Sequence, residues 1–389
     1  MNVNTYNIKH IKISYLLFLL GYVMFFYSCF LPDVAQSGFY FEEIENNLKY
    51  LSYIFFLLSL IASKKTKREI YMFVSFFVFG LLLLIRTHVW FFAVIAIMAL
   101  AVSNIDERKL VSLNLKLLMI STIAVIVLCG LGVLENVITY RFLFDNIRRN
   151  SIGFYHSNVL PISFLYIMCY LVLLKKNDIK CGFLLLGELI NIVLYSFCKS
   201  RNSFLLTTVL ILICILIKVF GINKRKTKML GFLSKLIVPF YFAFSIVGTL
   251  VISNNKVMQM LDAFLSYRFA ASLQKFRIYG INILTGVDTD TFFSDNIVLD
   301  NGYIFIVLRY GIILAILISG LYFNIAKIKE NDVYVSLIII VVASANFVDN
   351  DILDYACLPF ILIALKSMQY RVRGAIDSHH MKKNGGENE

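Results

Sequence analysis

The sequence predicts an all-α, polytopic integral membrane protein with about 12 transmembrane helices, or 11 given how short the third, fourth and last segments are, and two large extracytoplasmic loops. Three observations carry that fold class. Apolar residues fill 59% of the 389 positions, against roughly 45–50% in an ordinary soluble domain. They come in blocks of span length separated by short charged stretches, and 12 spans of about 20 residues would take up close to the whole apolar content. The 35 Phe and 22 Tyr suit lipid-facing and interfacial surface, while only 4 Pro and 19 Gly leave the helices largely uninterrupted. No room remains for a folded soluble domain, so 1–389 reads as one membrane-embedded unit. Its extracytoplasmic loops are 135–158 and 254–302, and 366–389 is a cytoplasmic tail.

Taken in order, the first apolar block, Ile11 to Leu31, follows a short basic start. It is long for a signal peptide and lacks a small-residue cleavage site before Gly38, so it reads as an uncleaved anchor. The blocks Leu48 to Ser63, Ile70 to Ile85, Val89 to Val102 and Leu117 to Leu134 follow, the third and fourth spans being short. After the first long loop come Val159 to Leu174, Cys181 to Phe197, Phe204 to Phe220 and Leu236 to Ser253. After the second come Tyr303 to Phe323, Val333 to Phe347 and the short Tyr355 to Leu365. With both termini in the cytoplasm, the inner segments carry 22 Lys and Arg and the outer segments 10, the bias expected of a plasma-membrane protein in that orientation.

The formal charge of +13 is therefore a topology signal, and no motif for DNA or RNA accompanies it. The seven cysteines lie in or beside apolar blocks without a C-x-x-C pair and read as small core hydrophobes. No His, Cys and carboxylate cluster has metal spacing and no phosphate-binding Gly-rich loop is present. Neither a metal nor a cofactor is expected. No internal repeat points to the two halves of a transporter.

Seven of the ten outer basic residues sit in the two long loops, where topology gains nothing from them, so they need another explanation, such as an anionic ligand or paired acids. In the first loop, a helix would put Arg141 and Arg148 on one face, where guanidiniums can clamp a diphosphate. Arg149 follows, and His156 could add a donor or proton carrier. The alternative is a snorkelling cluster paired with Asp145 and Glu135, with His156 capping a helix end. The tight turn Cys198-Lys199-Ser200-Arg201-Asn202-Ser203 holds two further cations, and snorkelling is again the competing reading. In the second loop, Val257 to Tyr279 has helical propensity. A continuous helix would place Arg268 and Lys275 on one face and Arg277 on the other. That pattern suits a segment between a ligand and the bundle, and equally an interfacial amphipathic helix on anionic lipid. Asp300-Asn301-Gly302-Tyr303 closes the loop at the mouth of the tenth span, where a carboxylate could act as a base, although Asp-Asn-Gly is also an ordinary helix entry. Within the spans, Glu188 and Arg309 are costly charges, functional or structurally paired, Glu188 for example with Lys235.

Together these segments resemble the O-antigen polymerase (Wzy) and O-antigen ligase superfamily, especially capsular and exopolysaccharide repeat-unit polymerases. Gly153-Phe154-Tyr155-His156-Ser157-Asn158 looks like the family's Gly-aromatic-x-His-x-Asn at the start of a span. Ser200-Arg201-Asn202-Ser203 looks like its Ser-Arg-x-x turn, and Asp300-Asn301-Gly302-Tyr303 with Tyr310-Gly311-Ile312-Ile313 looks like its (His/Asp)-Asn-x-Tyr…Gly-Ile pattern. The resemblance covers roughly residues 141 to 323. Ligases of the superfamily typically carry His where this chain has Asp300, which favours a polymerase.

The resemblance implies undecaprenyl-diphosphate-linked oligosaccharide as substrate, at the outer face of a bacterial plasma membrane, with a flippase and a chain-length regulator of the same pathway as companions. It implies Asp300 as base or orienter, with Arg201 and His156 also in the catalytic group. Arg141, Arg148, Arg149, Asn158, Arg268, Lys275, Arg277 and Asn301 would contact substrate. The alternatives from other classes are a lipid-linked oligosaccharide flippase, a ligase, or a membrane receptor or structural component.

Overall fold

A computed structural model describes residues 3–35, 42–63, 65–102, 105–141, 147–221, 224–295, 297–349 and 354–366. The expected tail lies outside these residues, apart from its first position. The chain is overwhelmingly helical. Among the described residues, five α-helices precede the first long loop: α1 (Val3–Phe30), α2 (Glu42–Ile61), α3 (Lys67–Thr87), α4 (Phe91–Ala101) and α5 (Glu107–Gly130). Four follow it: α6 (Val159–Lys175), α7 (Cys181–Cys198), α8 (Arg201–Phe220) and α9 (Lys224–Val251). The second loop forms α10 (Lys256–Phe264), α11 (Arg268–Tyr279) and α12 (Thr289–Phe293). Then come α13 (Gly302–Tyr310), α14 (Ile312–Ile328), α15 (Val333–Val348) and a last helical stretch over 358–366.

Seven of these helices are long and apolar enough to cross a membrane, and α4, α14 and α15 are shorter apolar helices. The architecture is that of an all-α membrane protein. Its surface fits that solvent, because the outer faces of α2, α3, α7 and α8 expose large aliphatic and aromatic side chains such as Ile54, Tyr71, Leu185 and Leu212. Some inward-facing polar groups pair between helices. Tyr22 donates to Asn114 Oδ1 at 2.8 Å between α1 and α5, and Ser14 and Ser59 bond each other's carbonyls between α1 and α2.

Helix starts follow local chemistry. Thr66 and Glu69 close a capping box on α3, Asp106 caps α5, and Asp332 accepts from the backbone N–H groups of Tyr334 and Val335 at the start of α15. Each satisfies donors that a helix N-terminus leaves open. Charge pairing within the bundle differs from the Glu188–Lys235 pair considered from sequence. Lys235 binds Glu330 at 2.6 Å, whereas Glu188 accepts from Thr208 at 2.6 Å, one helix away.

Three expected elements change form. The first long loop contains a two-stranded antiparallel hairpin, β1 (Ile138–Arg141) with β2 (Ile147–Asn150), in the register Tyr140↔Arg148 and Thr139↔Arg149. The helical alignment of Arg141 with Arg148 is therefore replaced by strand alternation, which sends Arg148 and Arg149 to opposite faces. The helix over 257–279 is broken, because Ser266 and Tyr267 take left-handed backbone conformations and Asp262 accepts from the N–H groups of Phe269 and Ala270, starting a new helix. The tenth span is also two helices, α13 and α14, separated at Gly311.

The N–H groups of Ile312 and Ile313 at that break donate to the carbonyls of Asn282 and Ile283, each at 3.1 Å. The second loop thus caps α14 in place of α13. It lies so close that a Cβ on Gly286 would sit 1.5 Å from the carbonyl oxygen of Arg309. α13 is buried along its whole length, with Tyr303 donating to the Ala343 carbonyl of α15 at 2.8 Å and Tyr310 edge-on to Phe92 of α4.

Candidate functional site

One end of the bundle gathers β2, the 151–158 turn, the α7–α8 turn, the start of α11, the start of α13 and the end of α15. The 151–158 turn is fixed by the end of α1: Ala35 N–H donates to the Gly153 carbonyl at 2.9 Å and Tyr155 N–H to the Asp33 carbonyl at 2.8 Å. Phe154 is fully buried, edge-on to Phe30. Gly153 has φ +84°, and a Cβ there would meet Cys129 and Val125 of α5 at 2.9 Å, so only glycine lets the turn lie against α5.

Arg149 reaches across from β2. Its Nε donates to the Cys198 carbonyl at 3.0 Å at the end of α7, and a terminal nitrogen donates to Asn158 Oδ1. Asn158 in turn points its amide at Asp349 Oδ1, 3.5 Å away, and Asn202 of the α7–α8 turn donates to Asp349 Oδ2 at 3.3 Å. Asp349, at the end of α15, thus ties together the 147–158 stretch and the α7–α8 turn, three segments far apart in sequence. Burial pushes its carboxyl above the ordinary range and nearby Asp300 adds to this, against the pull of Arg268, the Asn202 hydrogen bond and Arg149.

Arg268 begins α11 and stands over Asp300, with one terminal nitrogen 3.2 Å from the Asp300 carbonyl and the other 3.7 Å from its carboxylate. Its Nε is buried without a hydrogen-bond partner among the described residues, while the Asp300 side chain is half exposed. Arg201, the first residue of α8, is exposed, and burial lowers the basicity of Arg149 with a smaller push from the Arg201 charge. His156 accepts the Asn158 N–H on Nδ1 at 3.2 Å, just before α6 begins. Desolvation, then Arg149, push its imidazole below the ordinary value, which keeps it a neutral acceptor at pH 7.

The cluster therefore brings together Arg149, Arg201, Arg268, His156, Asn158 and Asp300 from among the residues singled out in the sequence. Asn301 serves the fold beside it: its Oδ1 accepts from the N–H groups of Tyr303 and Ile304, and its amide meets Ser245 of α9. Others stand apart. Arg148 is exposed on the opposite face of the hairpin from Arg149. Arg141 ends β1 directly across from Ile147. Arg277 is exposed in the last turn of α11, nine residues and half a helical rotation from Arg268.

Lys275 does share the Arg268 face, but it is fully buried. It is bound to Asp295 at 2.7 Å and to the Phe292 carbonyl, with its ammonium 4.2 Å from the Phe292 ring centroid. It organises the loop's own interior and is not free for substrate. Lys275→Ala is expected to cost about 3–5 kcal/mol, since Asp295 is left without its cation. This would be read as a lower unfolding midpoint in detergent, with the Lys275→Ala/Asp295→Ala double variant less impaired than the sum of the two single changes. Arg309 is likewise enclosed, donating to Thr289 at 3.0 Å and packed among Phe293, Phe305 and Tyr310.

Asp349 is the residue the sequence reading passed over. It stands close to Asp351 and Asp354 in sequence, but nothing in linear order ties it to Arg149, 200 positions earlier. Among the described residues no group of three or more His, Cys, Asp or Glu side chains could hold a metal ion. A cavity of about 420 Å³ lies at the opposite end of the bundle, with an apolar wall and Glu107, Lys176, Lys329 and Asp332 at its rim. Those four are tied up in Lys329–Glu107 and Lys176–Asp332 pairs, so the chemistry is assigned to the arginine and aspartate cluster instead. No family model, curated protein or solved structure matches the chain.

Proposed function

We propose that this chain is an oligosaccharide repeat-unit polymerase of a bacterial plasma membrane. It transfers a growing glycan from undecaprenyl diphosphate to the next lipid-linked repeat unit, building a capsular, exopolysaccharide or O-antigen polymer. The single observation that carries the reading is the meeting of Arg149, Arg201 and Arg268 with Asp300 and Asp349 at one end of an apolar helical bundle. Arg201 and Asp300 lie in two of the segments that resemble the polymerase motifs, Arg149 lies on β2 just before the third and is tied to its Asn158, and Arg268 and Asp349 come from α11 and the end of α15.

In this reading the bundle makes twelve crossings, with α13 and α14 forming one and 358–366 the last. Both termini face the cytoplasm and the cluster lies at the outer face. The excess of Lys and Arg on the opposite side supports that orientation. The reaction breaks the bond between the anomeric carbon of the donor glycan and the diphosphate oxygen, and forms a bond from that carbon to an acceptor hydroxyl. Charge builds on the departing diphosphate, and fixed guanidiniums stabilise it most where water is thin. Arg149, Arg201 and Arg268 take that role. The acceptor proton passes to Asp300, the half-exposed carboxylate beside Arg268. Asp349 is not a catalytic residue in this scheme. It positions Asn158 and Asn202, and through Asn158 the guanidinium of Arg149. A flippase would need cations along a path through several spans, whereas the arginines that meet here do so at one end.

The test is the size distribution of surface and lipid-linked glycan in a strain deleted for the gene and complemented with wild-type or Asp300→Ala chain. Deletion and Asp300→Ala should both leave single repeat units on the outer face, with polymer restored by wild type. Normal polymer from an expressed Asp300→Ala chain would sink the assignment of Asp300. Long polymer retained on its lipid in the deletion strain would mean a ligase, and single units held on the inner leaflet a flippase.

A further inference from the structure

We infer that α10 is an interfacial anchor, lying in the headgroup region of the lipid bilayer with Val257, Met260 and Phe264 inserted among the acyl chains. These three residues are each more than 70% exposed, and their spacing of three and four places them in one stripe. The opposite side of the same helix faces the protein. Asp262 is buried and caps α11, and Met258 packs toward Gly248 of α9. The apolar stripe therefore points away from the bundle, the reverse of what a water-exposed surface helix would do.

Two observations commit the stripe to lipid. Its depth is set by α9, because Gln259 donates to the carbonyls of Ile252 and Ser253 at 3.1 and 3.3 Å and so caps the end of that apolar helix. α10 begins within one turn of where α9 ends. The stripe also continues an outward apolar surface, since Val247, Leu250 and Val251 on the last turns of α9 are exposed as well. A short helix with an apolar face at the end of a span, carrying Lys256 at its start, has the pattern of a segment lying in the bilayer interface. Only Leu265, Ser266 and Tyr267 separate α10 from Arg268, so the anchor fixes the height of that guanidinium, and with it of Asp300, at the depth of lipid headgroups. The inference rests on the membrane embedding of the bundle and not on the polymerase chemistry.

Trp90 is the single tryptophan, which makes a direct test possible. The full chain carrying Trp90→Phe and Met260→Trp would be placed in phosphatidylethanolamine and phosphatidylglycerol vesicles with brominated acyl chains. Met260→Trp should lose most of its fluorescence when bromine lies near the carbonyl end of the chain and less when it lies near the methyl end. Leu212→Trp, on the outward face of α8, reports the span itself and should be quenched at depth. Phe264→Trp keeps an aromatic side chain on the same stripe and provides the second reading if Met260→Trp folds poorly. An unquenched stripe with a quenched Leu212→Trp overturns the anchor while leaving the membrane embedding intact. If Leu212→Trp is also unquenched, both are overturned.

Discussion

Arg149→Ala is expected to reduce polymer formation about 10²–10³-fold, the usual loss when one fixed donor to a developing anion is removed. Arg148→Ala should leave it within about twofold, the scale of a surface change away from such features. The two residues are neighbours with the same charge, so composition and topology cannot distinguish them. The hairpin does: Arg149 reaches Cys198 and Asn158, while Arg148 lies exposed opposite Tyr140. The measurement is glycan chain length in complemented deletion cells, with each variant's membrane abundance matched to wild type. Equal loss from both substitutions would mean that overall basic charge matters and that the cluster does not.

The second large effect is expected at Asp349. Asp349→Asn should lower polymer formation about 10²-fold, the scale of a reacting group misplaced by about 1 Å, because an amide puts an N–H donor in place of one of the two oxygens that accept from Asn158 and Asn202. Stability should move the other way. Burial holds the Asp349 carboxyl above its ordinary value, so folding favours the protonated form. The stabilisation from that preference is fully present below the unfolded-state pKa and is lost as pH rises through the raised folded-state pKa. Asparagine cannot ionise and escapes that loss. At neutral pH the variant's unfolding midpoint should be equal to or above wild type, and the advantage should vanish in acid. A variant that lost stability at neutral pH together with activity would reveal a merely structural role for Asp349.

Linear sequence made some of this site legible for an identifiable reason. Gly153 to Asn158, Ser200 to Ser203 and Asp300 to Tyr303 each place small, polar or charged residues at the edge of an apolar block, and such residues stand out against 59% apolar background. Arg268 also stood out, through its place in a long basic loop. Lys275 misled because charge alone does not show whether a cation faces out or neutralises a partner. Asp295, twenty residues on, takes it into the loop's interior. The hairpin was missed because β1 and β2 are four residues each, too short for periodicity to separate a strand from a helix.

The amino-acid sequence by itself determined the class of solvent this chain folds in. Burial of apolar blocks and the placement of Lys and Arg are summed over hundreds of residues, so they survive any error at one position. It also determined where several helices start, through caps at Thr66, Asp106, Asn301 and Asp332 that act within three residues. Only the tertiary structure decided which charges meet. Arg149, Asn158, Asn202 and Asp349 span 200 positions and depend on hairpin register, on the turn after α7 and on the end of α15. It also decided that the tenth apolar block breaks at Gly311, because the carbonyls that cap α14 come from Asn282 and Ile283 in a different segment. Local propensity is encoded residue by residue, whereas partners across a bundle are set by how whole helices pack, and that packing is written in no single stretch of the chain.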